Sequence, residues 1–129
     1  MKILKTLIVF AFFLQSTINV FAQGNIFTQR PVLSDEEEVT ATVTKEIDEV
    51  FQSVDFVKRK NKKYAEVKGT MVVDIGIVQN GKVSSFFKVD SDIKNIDFIN
   101  FMSDYILQHK FRFKLQKQQR YKIRYTATF

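Results

Sequence analysis

The stretch GTMVVDIGIVQNGKV, residues 69–83, decides the fold of this chain and holds three of its four glycines. Val67, Gly69, Met71, Val73, Ile75 and Ile77 occupy every second position and share one face, the period of a strand with one face buried. The alternation breaks at Asn80-Gly81 and resumes with Val83, Ser85, Phe87 and Val89, which predicts an antiparallel hairpin. Loop length follows from which rows must share a face. A two-residue loop at Asn80-Gly81 would set Val78 opposite Val83 and send the apolar rows to opposite sides of the sheet. A three-residue loop, Gln79 to Gly81, sets Ile77 opposite Val83 and Val73 opposite Phe87, with Gly81 at positive φ as a bulge residue.

Upstream of the hairpin, Ser34 followed by Asp35, Glu36 and Glu37 reads as a capping box, with acids at the positive end of a helix. Val39, Val43, Ile47, Val50 and Val54 then recur at steps of four and three, predicting one helix to about Val57. The cluster KRKNKK, residues 58–63, falls at the negative end of that helix, where cations are favoured. Residues 23–33 lack periodicity, contain the only proline, Pro31, and read as an extended lead-in.

Downstream, Asp90-Ser91-Asp92 offers carboxylates two apart, as a calcium loop does. An EF-hand counted from Asp90 needs glycine where Asn95 stands and glutamate where Phe101 stands, so these residues read as turn formers and no metal is expected. Asn95 or Ser91 then caps a helix to about His109, with Ile96, Ile99, Met102 and Ile106 on one face and Phe98, Phe101 and Tyr105 widening it. In the closing stretch Tyr121, Ile123, Tyr125, Ala127 and Phe129 alternate with Lys122, Arg124, Thr126 and Thr128, the pattern of a half-buried strand. The expected architecture is α+β: helix, antiparallel β-hairpin, helix, C-terminal strand. Its second helix is expected to pack on a sheet face made by Met71, Val73, Ile75, Val83, Phe87, Ile123 and Tyr125.

At the other end, Lys2 and Lys5 precede the apolar run LIVFAFFL, residues 7–14, and Val20-Phe21-Ala22 places small residues where a signal peptidase reads. Gln15, Ser16, Thr17 and Asn19 stop that run short of the ~20 residues a spanning helix needs. Residues 1–22 are therefore read as a signal peptide cleaved after Ala22, which implies an exported, periplasmic protein. Residues 34–129 form the one expected domain. Loss of Lys2 and Lys5 lowers the formal net charge of +6 by two, too modest a balance to imply nucleic acid. With no cysteine in the chain, a disulfide or a lipid attached to a processed cysteine is excluded.

Catalytic constellations are missing from the sequence. The only histidine, His109, falls at a helix end where a capping role is expected. Neither a nucleophile motif, a glycine-rich phosphate loop nor a His-carboxylate cluster at ligand spacing is present. A binding protein without cofactor or metal is expected. The charge is segregated: residues 35–55 hold eight acids and only Lys45, whereas residues 110–124 hold seven bases and no acid. The terminal strand turns its aromatics one way and its charges the other, unlike a single-stranded nucleic-acid surface, where both share a face.

Taken together, G-x-M-x-V-x-I-x-I-x-x-x-G-x-V over residues 69–83, Ile96-Asp97 opening a helix, Phe111-Arg112-Phe113, and an alternating strand closing on Phe129 resemble the C-terminal domain of the TonB energy-transducer family. Leu115 stands where the family carries proline, and Gln118-Gln119 where it carries glycine, which marks a divergent member. Pro31 alone does not make the family's proline-rich spacer, so a stand-alone periplasmic module is expected. The resemblance implies β-strand addition: Tyr121, Lys122, Ile123, Arg124 and Tyr125 would receive an extended segment of an envelope protein such as a TonB-dependent outer-membrane transporter. Two other uses of the chain stand beside it, pairing of the same edge within a homodimer and binding of anionic surfaces through residues 58–63 and 110–124.

Overall fold

A computed structural model describes residues 29–129, so the expected signal peptide, residues 1–22, and most of the expected lead-in lie outside the described residues. The chain runs β1 (Val32–Leu33), α1 (Glu36–Gln52), α2 (Val54–Tyr64), β2 (Thr70–Ile77), β3 (Val83–Ser91), α3 (Ile96–Leu107), β4 (Lys114–Leu115) and β5 (Tyr121–Thr128). This is an α+β fold. One antiparallel sheet has the order β3-β2-β5, and β1 and β4 form a small parallel pair. Met71, Val73, Ile75 and Ile77 of β2 and Ile123, Tyr125 and Ala127 of β5 are buried on one sheet face. Against that face α1 packs on β5 and α3 on β3, contributing Val39, Val43, Ile47, Phe98, Met102 and Ile106. No helix among the described residues is long and apolar enough to cross a membrane.

The hairpin loop is the expected one. Val78 N–H donates to Lys82 O at 3.0 Å, Ile77 faces Val83, and Gly81 has φ +80°. Farther along, the register departs from expectation because β3 carries two irregularities. The first lies between the Gly76 and Ile77 pairs and inserts Ser84; the second lies between the Val72 and Val73 pairs and inserts Val89. Val73 consequently faces Lys88 rather than Phe87, which pairs with Asp74 and is 69% exposed on the outer face. Phe86, opposite Ile75, takes the place expected of Phe87 against the core.

The single first helix is corrected to two. Ser53 has ψ 148°, outside helical space, and serves both neighbours: its Oγ donates to Val50 O at 2.6 Å and accepts from Phe56 N–H at 3.2 Å. A serine that satisfies both helix ends makes the break inexpensive. The turn of direction exposes Val54, at 84%, and buries Phe56, at 1%. Phe56 lies 4.9 Å from the Phe51 ring, 5.6 Å from Phe101 and 5.1 Å from Tyr105. The basic cluster therefore continues α2 rather than ending α1. At the start of α1 the cap is Asp35, not Ser34, and it makes no side-chain cap bond. The acids Glu36, Glu37 and Glu38 still occupy the first turn, where the helix dipole favours them. Asn95 caps α3 as expected, accepting from Phe98 N–H at 3.1 Å, but α3 ends at Leu107 and leaves Ile96 70% exposed.

Candidate functional site

Which edge of the sheet is open is settled by the pairing of its central strand. Gly69 and Phe129 exchange both backbone hydrogen bonds, N–H of Phe129 to Gly69 O at 2.9 Å and the reverse at 3.2 Å. The ladder runs unbroken from there to Ile77↔Tyr121, so bonded pairs alternate: Ala127, Tyr125, Ile123 and Tyr121 bond β2. The backbone N–H and C=O groups of Lys122, Arg124, Thr126 and Thr128 point away from the sheet. Among the described residues no strand pairs with them.

The five residues expected to bind a partner thus fall on one straight edge strand, in two sets. Tyr121, Ile123 and Tyr125 face inward and fix β5 to the helical layer. The Tyr121 hydroxyl donates to Ser34 O at 2.7 Å, and the Tyr125 hydroxyl donates to the Asp48 carboxylate. Burial, with the Asp48 bond, pushes the Tyr125 phenol far above its ordinary range. Lys122 and Arg124 face outward on the exposed side of the sheet. Arg124 is held by Asp74 across the ladder, Nε to Oδ1 at 3.0 Å and Nη2 to Oδ2 at 3.2 Å. That hydrogen bond keeps the Asp74 carboxyl below its ordinary 3.8. Thr126 and Thr128 complete the edge, and the alternation running to the last residue was the signal for them.

Strand β3 is also terminal in the sheet, but it is protected in two ways that β5 lacks. Its two bulges leave only a short regular run, and Lys88 points to the core-facing side at its rim. Bulges and inward charges are the devices that block further strand pairing.

Other expected sites are committed within the molecule. The Asp92 carboxylate accepts Thr70 N–H at 2.7 Å, and Ser91 Oγ accepts Ile93 N–H at 2.9 Å, so this turn is closed by its own side chains. Among the described residues no group of three His, Asp or Glu side chains is placed to hold a metal. His109 does not cap α3 with its ring. Its Nε2 lies 3.2 Å from Glu46, which is 5% exposed and also accepts Arg112 N–H at 3.1 Å. Arg112 in turn pairs with Glu49. A cleft of about 420 Å³ opens here, lined in part by these groups and by Asp55, Arg59 and Tyr105. Asp55 accepts the Tyr105 hydroxyl at 2.7 Å and pairs with Arg59 at 3.3 Å, so the cleft's charges satisfy one another.

In the first basic cluster Lys60 is likewise engaged. Its Nζ donates to Tyr64 O and Val67 O at 3.2 and 3.3 Å and lies 5.8 Å from the Phe98 and Phe129 ring centroids. In the second, Arg112 and Arg124 are ion-paired.

The hairpin tip has a structural use. Gly81 O accepts Phe111 N–H at 2.8 Å and Gln79 O accepts Leu115 N–H at 2.9 Å. Arg30 Nη1 donates to Asn80 O at 2.8 Å and Phe111 O at 3.0 Å. A Cβ at residue 81 would sit 2.3 Å from Phe113 O, so only glycine permits this approach. Comparison of the chain with protein-family models, with curated proteins and with solved structures found no match.

Proposed function

We propose that this protein is a periplasmic binding module of TonB C-terminal type, which takes an extended segment of an envelope protein onto the open edge of β5. The observation that carries the reading is the contrast between the two edges: β5 offers outward N–H and C=O groups on Lys122, Arg124, Thr126 and Thr128 without a bulge, whereas β3 is blocked. Backbone pairing of this kind supplies affinity, and the side chains of alternate residues supply selectivity. Lys122 lies beside the incoming strand and favours a carboxylate on the partner's outer row, whereas Arg124 is already held by Asp74. The left-handed backbone of Gln118, φ 67°, also favours the resemblance, because the family places glycine at this step before the last strand. Engagement of Lys60, Arg112 and Arg124 within the fold counts against the anionic-surface reading.

The test is affinity capture from a cell-envelope extract by the wild-type chain and by Lys122→Pro. Proline at position 122 removes one outward donor and leaves Tyr121, Ile123 and the Asp74–Arg124 pair chemically intact. A partner held by the wild type and lost by the folded variant is expected, with retention insensitive to moderate salt. Unchanged capture by Lys122→Pro would refute strand addition at β5. Capture that collapses with salt and ignores the proline would transfer the function to the basic segments.

A further inference from the structure

Asn80-Gly81, at the tip of the hairpin, is the only Asn-Gly pair in the chain. We propose that it is a site of spontaneous covalent modification, deamidation through a cyclic imide, which Arg30 holds back for as long as it clasps the tip.

The reaction needs only water. The Gly81 backbone nitrogen, on losing its proton to solvent, attacks Asn80 Cγ: a C–N bond forms, the Cγ–Nδ2 bond breaks, and the side-chain nitrogen leaves as ammonia. Water then opens the five-membered imide. Addition at Cγ restores the peptide link and leaves aspartate, whereas addition at the main-chain carbonyl carbon leaves the chain running through the side chain as isoaspartate. Nothing is oxidised or reduced. Glycine in second place opens this route, because without a Cβ its nitrogen is unshielded and its backbone turns freely. Asn80 is exposed, so water reaches it.

The fold demands both reactive residues for reasons of its own. Gly81 has φ +80°, and a Cβ there would meet Phe113 O at 2.3 Å. Asn80 Oδ1 accepts Lys82 N–H at 3.0 Å, the side-chain bond that shapes such a turn. The same contacts restrain the reaction. Asn80 O and Gly81 N lie in one peptide plane, and ring closure must turn that plane against the Asn80 side chain. Both of its polar atoms are bonded: Gly81 N–H donates to Val78 O at 2.9 Å, and Asn80 O accepts Arg30 Nη1 at 2.8 Å. Among the described residues, Arg30 is the partner of this plane that comes from outside the hairpin. Its Nη1 also reaches Phe111 O at 3.0 Å, so release of Arg30 loosens the tip from the segment beneath it in one step.

The two products differ in what they leave behind. Aspartate keeps the length of the main chain and an acceptor for Lys82 N–H. Isoaspartate adds one atom to the main chain of a loop that is pinned on both sides, by Phe111 N–H on Gly81 O at 2.8 Å and by Leu115 N–H on Gln79 O at 2.9 Å. The lengthened loop cannot satisfy these bonds and the Arg30 clasp together. Each opening of the clasp thus risks a change that prevents it from closing again.

The experiment incubates the full chain at neutral pH and physiological temperature and follows residue 80 by peptide mass spectrometry, with the aspartate and isoaspartate products separated by chromatography. The folded wild type should react at least roughly 10-fold more slowly than the same chain unfolded in urea. Arg30→Ala should speed the folded protein roughly 5- to 50-fold, the range by which loss of a partly exposed charge-assisted hydrogen bond shifts a local opening. Equal rates for folded and unfolded wild type, or a folded Arg30→Ala that reacts no faster than wild type, overturn the proposal. Ile47→Val separates the clasp from a general loss of stability, since it removes one buried methyl group from α1 and none of the bonds at the tip. Its rate should stay within roughly 2-fold of wild type, and an acceleration equal to its loss of global stability overturns gating by Arg30. Hydrogen exchange reads the product. The isoaspartate form should exchange the amides of Phe111, Lys114 and Leu115 faster than the unmodified chain, because their acceptors are Gly81 O, Pro31 O and Gln79 O. Unchanged protection of all three would overturn the unlocking of the tip.

Discussion

Alanine at position 46 should be among the most damaging single changes in α1, although an acid is removed rather than an apolar group. Glu46 is 5% exposed and holds three groups from the segment after α3: Arg112 N–H at 3.1 Å, His109 Nε2 at 3.2 Å and Arg112 Nε at 3.4 Å. Arg112 itself is 68% exposed, so its guanidinium adds little beyond what water supplies. The cost comes from the other two. Each charge-assisted hydrogen bond is worth about 1.5 to 3 kcal/mol, and the two together put Glu46→Ala at about 3 to 6 kcal/mol. For a domain of this size that lowers the Tm by roughly 15 to 30 °C. Glu46→Gln keeps an acceptor of the same shape and should cost about 1 to 2 kcal/mol. Urea unfolding at pH 7 followed by far-UV circular dichroism measures both, and equal m-values would place the change in the folded state. A loss below about 1 kcal/mol for Glu46→Ala would refute the account. Equal losses for the two variants would show that charge, not the acceptor, ties α1 to residues 109–112.

Three further outcomes are expected. Phe56→Ala should cost about 3 to 5 kcal/mol, whereas Val54→Ala should stay within about 0.5 kcal/mol, because the turn at Ser53 buries the first and exposes the second; the same urea titration reads both. Gln118→Gly should raise stability by about 0.5 to 1 kcal/mol by relieving a left-handed backbone, and a loss instead would show that the Gln118 side chain has a role of its own. The hydrogen bond from Arg124 holds the Asp74 carboxyl below 3.8, so the pair's contribution is present above that pH and lost as pH falls through the lowered value. The stability gap between wild type and Arg124→Ala should therefore be flat from neutral pH to about pH 4 and shrink below it, as read from urea midpoints at successive pH values.

The two straight strands were legible because a single physical rule governs them. Alternation places Ile75 and Ile123 on the core face without knowledge of anything else in the chain. In β3 the same rule fails at Ser84 and Val89, since each inserted residue reverses the faces that follow, and Phe87 is misplaced as a result. The stripe from Val39 to Val54 hid the break in the first helix. Val54 continues the helical period, and only Ser53, with Phe51 and Phe56 on either side, hinted that the axis turns. Glu46 sits inside an apolar arc with Val43 and Val50 one turn away on either side, a visible anomaly. Its partners lie more than sixty residues downstream and are joined to it by tertiary structure alone. The edge was readable as an edge; that its N–H groups at 122 and 124 both point outward required the register with β2.

The order of strands β3-β2-β5 has a consequence for how the protein comes into being. The middle strand is made early and finds its hairpin partner at once, but its other partner, β5, is made only after α3 and β4. Until then Ile123, Tyr125 and Ala127 are missing from the core, α1 has no β5 to rest on, and Phe51, Phe56 and Phe98 lack the Phe129 ring. Folding thus waits for β5: a product that stops before it should expose a sticky central strand, and the sheet closes only once β5 has been made.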